Sequence, residues 1–225
     1  MMAKLKNFFI VIGMLVLVFA GWVMIVNRNS VNMNARQKIL KAFYPALMWI
    51  TQRTGKNNKV MSNTTAAPVS FYSLKTVMND GSQLDLASLK GKKVLLVNTA
   101  SACGYTAQYD QLQQLYNQYN GKLVIIAFPA NDFKEQEQGT DSEIAAFCKK
   151  NYGVSFPLAQ KSTVVKTTGQ NPVFQWLTQP NQNGWNSQAP EWNFSKYLVN
   201  ENGMLTNYFG PSVEPTSKEI IAALE

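Results

Sequence analysis

The 225-residue chain has no histidine, which excludes serine–histidine and cysteine–histidine catalysis and most zinc sites. Its two cysteines, Cys103 and Cys148, are too few for a disulfide framework and too far apart for a CxxC pair. Any redox chemistry must therefore use distant thiols or an outside partner. No Asp or Glu precedes residue 68, whereas residues 1–67 carry nine Lys/Arg, from Lys4 to Lys59. Residues 68–225 carry twelve Lys, no Arg and thirteen acids, a net charge of −1. The +8 of the whole chain thus belongs to its N-terminal part and gives the remainder no electrostatic footprint for nucleic acid.

Charge is also missing from Phe8 to Val26, nineteen residues without a strongly polar group. That length suffices to cross a bilayer as a helix. The expectation is a membrane anchor over residues 1–30, with the membrane contact over residues 8–26. A cleaved signal is one alternative, although Val18-Phe19-Ala20 is a poor cleavage site inside the apolar run. A buried helix of a soluble protein is another. Orientation is left open by the flanking charges. Arg28, Arg36, Lys38 and Lys41 downstream lean weakly towards a cytoplasmic C-terminal part, and the short basic stretch with Lys4 and Lys6 leans the other way.

Residues 31–67 read as a basic amphipathic juxtamembrane segment followed by a linker. Arg36 to Arg53 mixes basic, aliphatic and aromatic residues, is interrupted by Pro45, and is too short and too charged to span. One reading lays it in the headgroup region beside anionic lipid. The other packs it on the globular domain. Residues 54–68 are small and polar, as in a linker.

Residues 68–225 carry the pattern of an α/β domain. Val69–Leu74 reads as a first strand, and Asn79-Asp80-Gly81 as a turn before a strand over Gln83–Leu86. Val94–Ala100 is nearly all apolar, as in a strand buried on both faces. From Thr106 the period changes: Tyr109, Leu112, Tyr116 and Tyr119 share a helical face, and Gly121 ends the helix. Leu123–Phe128 is a second buried strand, which completes a βαβ crossover. Thr140-Asp-Ser-Glu143 is a capping box for a helix with Ile144 and Phe147 inward. A helix over Asn171–Thr178, a hairpin of Tyr197–Val199 with Met204–Phe209 about Asn202-Gly203, and a helix over Pro215–Leu224 complete the pattern. That order predicts a thioredoxin-like fold: a central mixed sheet flanked by helices, here with an N-terminal transmembrane helix.

Within this order, the strand at Val94 runs into a small-residue turn that brings Cys103 to the start of a helix. The free N–H groups and positive end of a helix favour a thiolate. Taken alone, a cysteine after a buried strand reads as a small apolar packing residue. Gln136, in a charged loop, reads as solvated surface, Trp192 as a core or lid aromatic, and Asn193 as a turn residue.

Three motifs change this. Asn98-Thr-Ala-Ser-Ala-Cys-Gly-Tyr-Thr106, Phe128-Pro-Ala-Asn-Asp-Phe-Lys-Glu-Gln-Glu137 and Trp192-Asn-Phe194 stand in the order and at about the spacing of the glutathione peroxidase family, which residues 69–225 resemble. The resemblance implies a cysteine-type thiol peroxidase. Cys103 would be the peroxidatic residue, with Gln136, Trp192 and Asn193 completing a catalytic tetrad. A thiolate attacking a peroxide leaves sulfenic acid and an alcohol or water. Indole and amide N–H groups suit such a site, because they donate without titrating near neutrality. No metal and no cofactor is implied.

The motif departs from the family in three places: Ala130 stands for Cys, Asp132 for Gln and Lys134 for Gly. On the resemblance, Cys148 is a possible resolving cysteine, but it falls one position before the family's, about 100° round a helix. The reading preferred from the residues is a buried filler beside Phe147. The short Leu177–Trp192 stretch implies the smaller, monomeric kind of member, often recycled by thioredoxin. The lack of arginine after residue 67 favours a thioredoxin-like dithiol over glutathione as reductant. Expected substrates are hydrogen peroxide and organic or lipid hydroperoxides. The competing function is a membrane-tethered peroxide sensor or docking module without turnover.

Overall fold

An apolar run between turn residues becomes an interior strand of a five-stranded sheet. The computed structural model describes residues 2–225. Two helices open it, α1 (Met2–Val26) and α2 (Ala35–Thr54), followed by β1 (Val60–Ser62), β2 (Lys75–Val77), β3 (Gln83–Asp85), β4 (Lys93–Thr99), α3 (Gln108–Gln118) and β5 (Leu123–Pro129). Then come α4 (Asp141–Tyr152), α5 (Pro172–Thr178), α6 (Pro180–Asn183), β6 (Lys196–Val199), β7 (Leu205–Phe209) and α7 (Lys218–Leu224).

The main sheet has the order β1-β7-β6-β4-β5, and β2 pairs with β3 in a separate hairpin. β4 pairs parallel with β5, from Lys93↔Leu123 to Thr99↔Pro129, so α3 is the crossover of a βαβ unit. On its other side β4 runs antiparallel to β6, with Val97 opposite Lys196. The sheet is therefore mixed and covered on both faces. Leu95 and Val97 join the layer of α3 and α4, and Val94 and Leu96 join the layer of Phe128, Phe174, Trp176 and Tyr197. This is the thioredoxin-like arrangement expected from the element order.

Local signals held where expected. Thr140 and Glu143 form both halves of the capping box of α4. Asn171 caps α5 with Pro172 in its first turn. Phe71–Ser73, inside the first expected strand, is instead a short 3-10 turn in which the Ser70 hydroxyl accepts from the Tyr72 N–H.

α1 is long and apolar enough to cross a membrane: Phe9–Val26 has a mean hydropathy of 2.9 and none of it is buried. The side chains of Lys4, Lys6 and Phe8, on which part of the span-and-orientation expectation rests, lie outside the described residues. α2 departs from expectation at Pro45, and its inner face takes up the packing on the globular domain that was one of the two readings of this segment. It continues through Pro45, although an interior proline costs about 3 kcal/mol in lost bonding and sterics. Burial of Ala42, Tyr44, Met48 and Thr51 offsets that cost, and Tyr44 and Met48 belong to the core cluster around β4. Its inner face thus packs on the domain, tied by Tyr44 and Gln52 to Glu214 and by Gln37 to the Ser101 carbonyl.

The expected linker also joins the sheet. Val60–Ser62 pairs antiparallel with β7, with Val60 opposite Phe209. The Gly210 N–H donates to the Lys59 carbonyl at 2.7 Å, and a Cβ on Gly210 would collide with the Asn57 backbone. Only glycine lets the two chains lie this close.

Candidate active site

Three segments distant in sequence meet at one end of the sheet because β4 lies between β5 and β6. The C-terminal ends of β4 and β5 and the N-terminal end of the antiparallel β6 all lie there. Cys103 comes after β4, Gln136 after β5, and Trp192 and Asn193 precede β6.

The turn after β4 is stitched by Thr106. Its hydroxyl accepts from the Cys103 N–H at 3.0 Å and bonds the carbonyls of Ala100 and Cys103 at 2.8 Å each. Cys103 therefore sits in the turn, upstream of the first helical residue, Gln108. The expected helix-end stabilisation of a thiolate is not what reaches the sulfur. The donors are local: the Tyr105 N–H lies 3.4 Å from Sγ, with the Gly104 N–H and the Trp192 and Asn193 side chains adding to it. They are outweighed. Cys103 is 1% exposed, and burial pushes its thiol up to about 11.

The Trp192-Asn193-Phe194 turn is held by Asn98, the penultimate residue of β4. The Asn98 amide donates to the Trp192 carbonyl at 3.1 Å and, more weakly, to Asn193 Oδ1 at 3.5 Å. Asn98 Oδ1 accepts from the Ser195 N–H, and its carbonyl accepts from the Phe194 N–H at 2.6 Å. Phe194 is fully buried with φ at +69°, an uncommon conformation for an aromatic residue. Asn193 Nδ2 donates to Gln136 Oε1 at 3.2 Å. With its oxygen engaged, Gln136 keeps its N–H groups for another acceptor. Gln136 thus joins the sulfur through Asn193, whereas Trp192 and Asn193 face the sulfur directly.

The loop bearing Gln136 is only partly the solvated loop its charges suggested. Lys134 and Glu135 are exposed, but Gln136 and Glu137 are buried. The Ala102 N–H donates to the Gln136 carbonyl at 3.0 Å, which ties this loop to the Cys103 turn. Glu137 Oε2 accepts from the Ser101 N–H at 2.8 Å and its hydroxyl at 3.0 Å. Burial raises the Glu137 carboxyl from 4.5 to about 7, against the lowering pull of those Ser101 bonds and of the Lys161 charge. Neither Glu137 nor Asn98 was singled out in the sequence. For Glu137 a hidden partner was needed to show that it turns inward. Asp132, one of the departures from the family pattern, accepts from the Val164 N–H at 2.7 Å.

Lys134 and Glu135 both have positive φ, +54° and +52°. The family's glycine at the first position would adopt this without strain, and lysine does not. Lys134 gains a partner nonetheless: its ammonium lies 5.8 Å from the centroid of the Trp192 ring, which also packs on Phe133.

Cys148 is fully buried on α4 in the same cluster as Cys103, and both thiols are free. Burial pushes Cys148 up to about 12. It adjoins the Tyr109 hydroxyl, which lies near Thr99 and Glu137 without a well-aligned hydrogen-bond partner. Beside Gln136 a groove of about 560 Å³ opens between the start of α2 and α4, lined also by Asn34, Gln37, Ala102, Phe147 and Lys150.

Known proteins resemble this chain in sequence and in fold. The family described as glutathione peroxidase matches residues 71–178, a span that includes Cys103 and Gln136 and stops before Trp192. The glutathione peroxidase-like peroxiredoxin gpx1 of Schizosaccharomyces pombe is 43% identical over 153 residues, 66% of this chain and 94% of that protein. The glutathione peroxidase homolog BsaA of Bacillus subtilis is 38% identical over 162 residues, 70% of this chain and 99% of its own length. The crystal structure of Trgpx in apo form aligns with a TM-score of 0.54 at 29% identity, covering 69% of this chain and 95% of that one. T. cruzi GPX1 aligns at 0.51 and 29%, covering 69% and 96%.

Proposed function

Since the chain belongs to the glutathione peroxidase family and is a thiol peroxidase, we propose that Cys103 reduces hydrogen peroxide and organic or lipid hydroperoxides, with Gln136, Trp192 and Asn193 as its catalytic partners. The observation that carries this reading is the placing of the Trp192 and Asn193 side chains beside one buried thiol, with Gln136 joined to it through Asn193, all three being N–H donors.

The Cys103 thiolate attacks one peroxide oxygen. A sulfur–oxygen bond forms, the O–O bond breaks, and the leaving oxygen takes a proton to depart as alcohol or water. Trp192, Asn193 and Gln136 hold the peroxide and stabilise charge on the departing oxygen without supplying an ionised group of their own. One thiol of a dithiol then attacks the sulfenic sulfur, releasing water and leaving a mixed disulfide. The second thiol displaces Cys103 and carries away the new disulfide. A thioredoxin-like dithiol fits better than glutathione, because no arginine after Arg53 is present to hold glutathione carboxylates.

Residues 8–26 anchor the enzyme as a single-pass helix, with the catalytic part leaning to the cytoplasmic face, and the short segment before Trp192 favours a monomer. Cys148 serves as a buried packing group in the resting fold. To resolve Cys103, α4 would have to open.

The test is an NADPH-coupled assay of the full chain in detergent with thioredoxin and glutathione in parallel. Turnover with thioredoxin and none in Cys103→Ser is expected. Unchanged turnover in that variant would refute the assignment. A Cys103–Cys148 bridge found by mass spectrometry after peroxide would make Cys148 the resolving thiol.

A further inference from the structure

The outer face of α2 plays no part in the peroxide chemistry. Its inner face is occupied by the domain. Ile39, Phe43 and Ile50 recur at intervals of four and seven, which puts them on one helical face. They are 48%, 46% and 42% exposed, with Trp49 at the margin 58% exposed. A helix packed on a soluble core ordinarily turns charged residues to that side.

This apolar stripe is joined to another. The Trp22 indole of α1 donates to the Ala42 carbonyl at 3.0 Å, and the buried Asn27 amide donates to the Lys38 carbonyl at 3.0 Å. Those bonds attach α2 to a span with no buried residue from Phe9 to Val26. The borders of the stripe are basic. Arg36 and Arg53 are exposed, and the Arg53 guanidinium lies 4.5 Å from the centre of the Trp49 ring. Tryptophan and arginine at the rim of an apolar surface are the usual furnishing of a membrane–water interface.

The inner face of the same helix reaches the peroxidatic turn. A Cβ on Gly104 would lie 2.9 Å from Leu47 Cδ2, so a side chain there would push the Leu47 end aside. Just past the end of α2, Asn57 Nδ2 bonds the Tyr105 hydroxyl at 3.3 Å.

We infer that the outer face of α2 lies in the headgroup–acyl boundary of a bilayer containing anionic lipid, and seats the Cys103 pocket there to meet phospholipid hydroperoxides. The inference rests on the reading of α1 as a membrane anchor. A hydroperoxide on an acyl chain is polar and is driven out of hydrocarbon towards the interface, the depth at which an amphipathic helix lies.

The test uses the full chain in phosphatidylcholine vesicles containing phosphatidylglycerol, with bromine high on the acyl chains as a fluorescence quencher. Wild type, Trp22→Phe and Trp49→Phe are compared. Loss of part of the quenching in Trp49→Phe is expected. Quenching lost in Trp22→Phe but unchanged in Trp49→Phe would overturn the α2 inference and leave the anchor standing. No quenching in any of the three would overturn both. In the same vesicles, Ile39→Ser/Ile50→Ser is expected to lower phospholipid hydroperoxide turnover about tenfold while hydrogen peroxide turnover stays within about twofold. An equal fall in both would count against the inference.

Discussion

Glu137 shows how burial outweighs hydrogen bonding at a single residue. Its carboxyl lies near 7 in the fold against 4.5 ordinarily, so the folded chain holds a proton that the unfolded chain releases. The stability this gives is fully present below about pH 4.5 and is lost as pH rises through about 7, a loss of about 3 kcal/mol. Glu137→Gln keeps a neutral acceptor for Ser101 and should flatten that dependence in thermal unfolding at pH 5 and pH 8. Lys134 makes a second case. Relieving its positive φ with Lys134→Gly should stabilise the fold by about 1 kcal/mol, read as a higher urea midpoint. That Cys103, Gln136, Trp192 and Asn193 lie near one another was foreshadowed by three motifs standing in the order and at about the spacing of the family. Asn98 and Glu137 were not, because an asparagine ending a strand and a glutamate in a charged loop have many fates. The raised Cys103 thiol was hidden too, since its burial depends on α2, Gly104 and the late start of α3.

α2 is the element whose role the sequence left most open. Apolar residues stand on both of its faces, Tyr44 and Met48 on one, Phe43 and Ile50 on the other. Periodicity alone does not say which face meets the core. The strands and capped helices were easier: β5 is apolar throughout, β4 is apolar from Val94 to Val97, and the box at Thr140 is a purely local signal. β1 was the hardest, three residues whose pairing partner lies far along the chain. If α2 covers the thiol, Met48→Ala should cost about 2–4 kcal/mol in unfolding free energy and speed alkylation of Cys103 by iodoacetamide. Unchanged alkylation would mean that the helix packs without shielding the sulfur. In the wild type, alkylation should climb with pH across 7–10 without a plateau, because the thiol titrates near 11.

For the whole molecule, the layout separates two kinds of material. The family match begins at residue 71, so α1, α2 and β1 all precede it, yet α2 packs on the core around β4 and β1 pairs with β7. A chain cut to residues 31–225 should keep hydrogen peroxide turnover in solution, lose the stable anchoring of α1, and keep only a weak, salt-sensitive partition into anionic vesicles through the outer face of α2. A chain cut to residues 68–225 should unfold at lower temperature, since it lacks the buried face of α2. β1 adds a consequence of another kind. It takes the outermost seat of the sheet, so the backbone groups of β7 on that side are engaged by Val60–Ser62. Without it, β7 becomes an open edge, a ready template for the strand of another molecule. The shorter fragment should therefore fail first by self-association, scattering light in proportion to concentration, whereas the 31–225 chain stays dispersed.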